Sequence, residues 1–281
     1  LLVIVLGAVE LYLRSQTVQS AAEDVYRQRV LHGTAPWAAI GDSHAANGLV
    51  TTEWLDNLGQ ASDNLDSMLG KLALRVNRPG LQGVILSADA QLFSFYRLTA
   101  DQGGRVRDLL DDRPSLLQFL RSQNRQYLSS TAFAIASDPA VLWRSPVNNL
   151  SVADAPVPNT PKWDKDAVLR AQLHTPVRNA KTTPAAQEYR RVVKELKQRD
   201  IKVCLVTYPL SSAYRRAAAS AATFLEVRGF YEEVAVEMGA HLVDASTIFP
   251  DNLFGDPDHL SPLGAAQLTA KLQRECDGGG K

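Results

Sequence analysis

Four short apolar runs, separated by stretches of helical periodicity, constrain the fold of this chain more than any other feature. They are WAAIG (37–41), GVILSAD (83–89), IKVCLVTYP (201–209) and AHLVDA (240–245). Runs of this length suit strands, and continuous rather than alternating apolarity suits strands buried on both faces. Between them, Leu65, Met68, Leu69 and Leu72 repeat at i, i+3, i+4, i+7, which predicts an amphipathic helix within 63–76. A second helix is expected over 184–199. Thr183 would be its N-cap and Pro184 its first residue, with Tyr189, Val192, Val193 and Leu196 on its apolar face. A helix over roughly 212–238 and a last one opening at Ser261-Pro262, with Leu268 and Leu272 one turn apart, complete the series. Such alternation predicts an α/β domain with a mainly parallel sheet.

Two blocks interrupt the pattern. Residues 105–145 read as helical, whereas 146–183 are rich in Pro, Asn, Asp and Thr without a clear period and are expected to form a loop or mobile lid. Together they read as an insertion, at about 100–183, packed on or near the carboxyl edge of the sheet, where open α/β sheets bind ligands.

Composition narrows the function classes. The 30 Lys and Arg cancel the 30 Asp and Glu in 281 residues, so the basic face that a nucleic-acid binder needs is not indicated. Two cysteines, Cys204 and Cys276, exclude a disulfide scaffold or a multi-Cys zinc site. Cys204, inside the clearest strand, reads as a buried small hydrophobe. His32, His174 and His241 have no partner at metal-ligand spacing, and no glycine-rich phosphate loop is present. Of Trp37, Trp54, Trp143 and Trp163, the first two fit a core, and Trp163 is the best candidate for stacking on a ligand. Residues 1–13, LLVIVLGAVELYL, are shorter than the ~20 apolar residues of a spanning helix. A signal-peptide core and a buried core helix are alternatives. The favoured expectation is the outer end of a signal anchor that leads through a connecting helix, with 1–31 outside the main domain and 32–281 forming it.

The chemistry concentrates in two segments. AAIGDSHAANGL (38–49) would place the Ser43 hydroxyl at the end of a strand, where the next helix N-terminus can stabilise negative charge. Serine needs a base within hydrogen-bond reach. LFGDPDHLSPLGAAQLT (253–269) offers His259 just before a helix, with Asp256 three residues earlier and able to fix its tautomer.

GDSH near the start and DPDHLSPLGA near the end resemble the first and last blocks of the SGNH/GDSL hydrolase superfamily. The resemblance covers about 37–95 and 200–275, and it is closest to the envelope branch of polysaccharide O-acyltransferases and DltD-like proteins. It implies a three-layer, flavodoxin-like SGNH domain, with Ser43 as nucleophile and Asp256 and His259 completing a triad. The second block, NLGQASDN (57–64), puts Ser62 where the family has a glycine whose N–H holds the oxyanion, with Gly59 three residues before. The third, VILSADAQ (84–91), puts Asp89 where the family has an oxyanion-binding Asn. A carboxylate only accepts hydrogen bonds, so Asp89 is expected to be protonated, turned away or used on an acceptor hydroxyl. His44, next to Ser43, is a candidate ligand contact, with a structural role or a place behind the ligand contacts the favoured expectation.

The resemblance implies acyl transfer, most simply of acetyl, to a cell-envelope or secreted polysaccharide outside the cytoplasm, from a protein anchored by its N-terminal helix. No metal or diffusible cofactor is implied. The implied partner is a multi-spanning membrane O-acyltransferase that delivers acyl groups. An esterase or deacetylase with water as acceptor, and a non-catalytic assembly subunit that kept the fold, are the alternatives.

Overall fold

The computed structural model describes residues 17–100, 106, 109, 158, 160–219 and 221–278. Residues 17–32 with 106 and 109 belong to one compact unit, and 33–100 with 158–278 to another. In the first, α1 (Thr17–His32) buries Val30, and Arg27 Nε donates to the Leu109 carbonyl at 3.0 Å. The expected anchor at 1–13 and nearly all of 105–145, with Trp143, lie outside the described residues. Among the described residues no helix is long and apolar enough to cross a membrane.

The second unit is built on β1 (Trp37–Ile40), β2 (Leu55–Asn57), β3 (Gly83–Ser87), β4 (Lys202–Thr207) and β5 (His241–Asp244). All neighbours are parallel, in the order β2-β1-β3-β4-β5. Ala39 lies beside Asn57 on one side and Ile85 on the other, and Val206 lies beside Val243. This is the doubly wound, flavodoxin-like strand order, with the sheet's switch point between β1 and β3.

Both faces of the sheet are covered, which is why β1 and β3 are buried at every position. Ala39, Ile85, Cys204, Val206 and Val243 share one core with Leu268 and Leu272 of α9 (Pro262–Leu272) and with α5 (Pro161–Leu173). On the other face α3 (Leu65–Val76), α6 (Pro184–Gln198) and α8 (Ala222–Met238) pack on the strands through Met68, Leu72, Tyr189, Val193 and Val234. Thr183 caps α6 by accepting from the Ala186 N–H at 3.2 Å, with Pro184 at its start as the sequence predicts.

Four expectations change. Residues 161–173 are a helix rather than a loop: Thr160 caps it, Pro161 presets its first turn, and Trp163, Ala167 and Ala171, spaced by four, form its buried stripe. Trp163 is therefore fully buried in the core and is no ligand platform. The run 212–238 is two helices, α7 (Ser212–Ala218) and α8, with α7 capped by Ser211. Cys204 is more than a small hydrophobe. It forms a disulfide with Cys276, 72 residues on, where a π-helical turn (Gln273–Asp277) extends α9 back over β4. That contact joins strand to C-terminal helix across the core, so spacing along the chain gives no hint of it.

Candidate active site

The site lies at the carboxyl end of the sheet, beside the switch point. At the end of β1, Gly41 approaches β3 so closely that a Cβ there would lie 2.3 Å from Ser87 Oγ and 2.6 Å from Ala45 Cβ. The chain then turns into α2 (Ser43–Gly48), which Asp42 caps by accepting from the His44 N–H at 2.9 Å. Asp42 is pinned in turn by Arg97 Nη2 at 2.8 Å and Gln91 Nε2 at 3.2 Å. Ser43 is half-buried at the first position of α2. With six residues, α2 has local N–H groups to offer rather than a developed macrodipole. Asn57 at the end of β2 braces this short helix: its Nδ2 donates to the carbonyls of Ala45 and Leu49, both at 2.8 Å.

The base comes from a separate hairpin, β6 (Phe254–Asp256) with β7 (His259–Leu260), where Asp256 pairs with His259. Asp256 Oδ1 accepts the N–H groups of Asp258 and His259 at 3.1 and 2.9 Å, and its Oδ2 lies 2.8 Å from His259 Nδ1. The carboxylate can only accept, so Nδ1 carries the proton and Nε2 presents a lone pair. That Nε2 is buried and, among the described residues, has no hydrogen-bond partner. β7 packs against α2, so the hairpin brings His259 to the helix that Ser43 opens.

The other expected site residues fare differently. The Gly59 N–H is engaged by Asn57 Oδ1 at 3.0 Å, and a Cβ on Gly59 would lie 2.6 Å from the Ala46 nitrogen. Gly59 therefore serves close packing against α2 and offers no oxyanion donor. Ser62, at φ 66°, sits exposed on the loop after β2. That loop is tied to the Ser43 turn by the Gln60 N–H on the Gly41 carbonyl at 3.2 Å, and it is held from below by a buried Asp63–Lys71 ion pair. Asp89 is turned into the core. Its Oδ1 accepts the Tyr208 N–H at 2.8 Å and its Oδ2 faces His44 Nδ1 at 3.1 Å, so it neither repels an oxyanion nor binds an acceptor hydroxyl.

Sequence reasoning missed a charged network around these residues. His44 Nε2 faces Asp258 Oδ2 at 3.3 Å, and the Gln91 amide stands 2.8 Å from its Nδ1. Asp258 Oδ2 also lies 3.7 Å from His174 Nδ1, which meets the Tyr214 hydroxyl at 3.1 Å. Arg170 of α5 spans both turn carboxylates, with Nη1 2.9 Å from Asp258 Oδ1 and Nη2 3.3 Å from Asp256 Oδ2. Asp258 lies inside the DPDH segment, where nothing local sets it apart from Asp256. His174 and Arg170 come from the insertion and had no local signal.

Burial opposes charge throughout, and partners decide the outcome. His44 is held well above the ordinary histidine value because Asp89 and Asp258 outweigh its desolvation. Burial raises Asp89, and the opposing pull of His44 offsets this only in part. Asp258 falls far below the carboxylate range, burial being overcome by the His44 hydrogen bond, His259 and Arg170. Asp42 is likewise lowered by His44 and Arg97 against its own burial. His174 is pushed down to about 4 by burial and by the charge on His44.

Ligand atoms of His44, His174 and Asp258 come within 4.8 Å of one another, a spacing that could hold a metal ion. The donor set argues for an ion-pair network instead: Arg170 already occupies Asp258 and would repel a cation, and His174 Nδ1 is engaged by Tyr214.

No family model and no curated protein matches the chain. Among solved structures, one described as a platelet activating factor from Streptococcus pneumonia aligns at 13% identity with a TM-score of 0.43, covering 96% of this chain and 97% of that one. A lipase/acylhydrolase from Enterococcus faecalis aligns at 14% identity with a TM-score of 0.43, covering 86% and 95%. At that identity and TM-score neither likeness bears on what this chain does.

Proposed function

We propose that this chain is an SGNH/GDSL-type serine O-acyltransferase that works outside the cytoplasm, membrane-anchored through its N-terminal segment, on a cell-envelope or secreted polysaccharide. The observation that carries the reading is the His259 ring, with Nδ1 fixed on Asp256 at 2.8 Å and a buried Nε2 without a partner among the described residues, on a strand packed against the helix that opens with Ser43. Ser43 Oγ attacks the acyl carbonyl while Nε2 takes its proton, and the leaving group of the donor departs with that proton. The sugar hydroxyl then gives its proton to Nε2 as it attacks the acyl-serine, and Ser43 recovers its hydrogen as the ester leaves. Backbone N–H groups of Ser43 and Ser62 are the proposed oxyanion donors. The acyl donor is a multi-spanning membrane O-acyltransferase. The Cys204–Cys276 disulfide supports an oxidising compartment, the periplasm or the outer face of the membrane.

A serine-reactive fluorophosphonate should label the wild-type protein and leave folded Ser43→Ala unlabelled. With a chromogenic acetyl ester and an oligosaccharide, acetyl should appear on the sugar. Free acetate as sole product would convert the reading to an esterase. A folded wild-type protein that takes no label would make it a non-catalytic assembly subunit.

A further inference from the structure

We propose that His44 is the positioning residue that holds the reacting His259 in register with Ser43, by bridging Asp89 at the end of β3 to Asp258 in the β6–β7 turn; the inference rests on the serine-acyl reading above. Ser43 follows directly from β1 of the five-stranded sheet, whereas His259 belongs to a two-stranded hairpin outside that sheet. Their alignment therefore depends on what ties the hairpin to the sheet. One tie is backbone, the Ser211 N–H on the Pro257 carbonyl at 3.1 Å. The other is His44. It is covalently next to Ser43, and Asp258 is covalently next to His259, so the 3.3 Å contact from His44 Nε2 to Asp258 Oδ2 joins the residue after the nucleophile to the residue before the base.

Everything around that contact suits the task. The His44 and Asp258 side chains are 1% and 0% exposed, so water does not compete for the bond. Asp258 can only accept, so Nε2 is the donor, and Asp89 anchors the opposite nitrogen at 3.1 Å from a position itself fixed by the Tyr208 N–H. Asp42 and Gln91 close the remaining side, and the rings of His174, Tyr208 and His259 stand at 5.9, 6.4 and 5.3 Å. The last of these is an edge contact, so His44 also packs directly on the base. A buried imidazole that only filled space would be replaced at lower cost by an apolar ring.

The test is steady-state turnover of a chromogenic acetyl ester by wild type, Ser43→Ala and His44→Phe, with thermal midpoints, alongside NMR of the wild-type protein labelled with 15N-histidine. His44→Phe keeps the bulk and removes the donor. Its kcat should fall about 10- to 100-fold with KM within about twofold of wild type, because alignment and not binding is lost. In the NMR, the His44 Nε2 should stay protonated from about pH 5 to 9, a measurement that stands even where His44→Phe does not fold. Wild-type kcat in folded His44→Phe, a loss confined to KM, or an Nε2 that gives up its proton within that range would each overturn the proposal. Turnover that survives in Ser43→Ala would instead sink the serine reading, and the two failures are separable.

Discussion

Two carboxylate–histidine pairs stand side by side in this molecule and do opposite things. Asp89 lies 3.1 Å from Nδ1 of His44, and Asp256 lies 2.8 Å from Nδ1 of His259. The difference is on the far side of each ring. The second nitrogen of His44 is taken by Asp258, and the ring is 1% exposed. The second nitrogen of His259 has no partner among the described residues, and the side chain is 14% exposed. An imidazole whose two nitrogens both face carboxylates is a cationic crosslink and has no lone pair to give. One whose second nitrogen is vacant can take a proton. The pair alone therefore does not mark a base, and the vacancy opposite it does.

The two aspartates of the turn offer the largest break of that comparison. Asp256→Asn should leave the fold intact and lower kcat/KM on an acetyl ester by on the order of 10³ to 10⁴, the size of effect when the carboxylate orienting a triad histidine becomes an amide. Asp258→Asn should act the other way round. It strips the buried counter-charge from His44 and Arg170, so unfolding free energy should fall by about 3–5 kcal/mol, while an amide oxygen still accepts from His44 and turnover at low temperature stays within about tenfold. Denaturant titrations and turnover measured on both variants decide it. Interchanged phenotypes would mean that Asp258, not Asp256, orients the base.

What the sequence disclosed follows the same division. Local chemistry was legible: Thr183-Pro184 and Ser261-Pro262 open helices, and Asp256 reaches His259 within one turn of chain. Four of the five strands are continuous apolar runs and announce themselves, while β2, three residues of LDN, does not. Long-range polar contacts left no such trace. His44 meets Asp258 across 214 positions, and Arg170 reaches Asp256 across 86, so neither spacing nor periodicity could join them. Asp89 shows the limit most clearly. The sequence leaves it protonated, turned away or set on an acceptor hydroxyl, and only the fold selects among these, the strand end turning it inward to His44 and the Tyr208 backbone.

A second pair of histidines sharpens the comparison on the stability side. His44 has its folded value raised above the ordinary 6.5, so its contribution is fully present below pH 6.5 and is lost as pH rises through the raised value. His174 is lowered from 6.5 to about 4, so the unfolded chain binds its proton first and stability is lost as pH falls through that window. A difference of that size is worth on the order of 3 kcal/mol at most. Between pH 7 and 4.5 the wild-type protein should therefore lose about 2–3 kcal/mol more than His174→Asn, measured by urea unfolding. Parallel losses in the two proteins would show that His174 is not held neutral by its surroundings.

Arg170 should give the smallest effect, and it tests the comparison from outside. Its guanidinium touches both turn carboxylates, yet its side chain is 37% exposed and comes from α5 rather than from the sheet or the hairpin. Solvent screens the 37% exposed guanidinium, and the buried Asp258 keeps His44 as its counter-charge, so Arg170→Gln should cost no more than about 1 kcal/mol of stability. Asp258 keeps His44, and Asp256 keeps the His259 ring and two backbone N–H groups, so the base stays oriented. On that account kcat/KM should fall only about three- to tenfold, and added salt should shrink the gap between variant and wild type. A loss beyond about 100-fold at any salt, with stability unchanged, would give Arg170 a different place. The insertion would then be supplying a group that touches the substrate, and the vacant nitrogen of His259 would be only half of what makes this turn reactive.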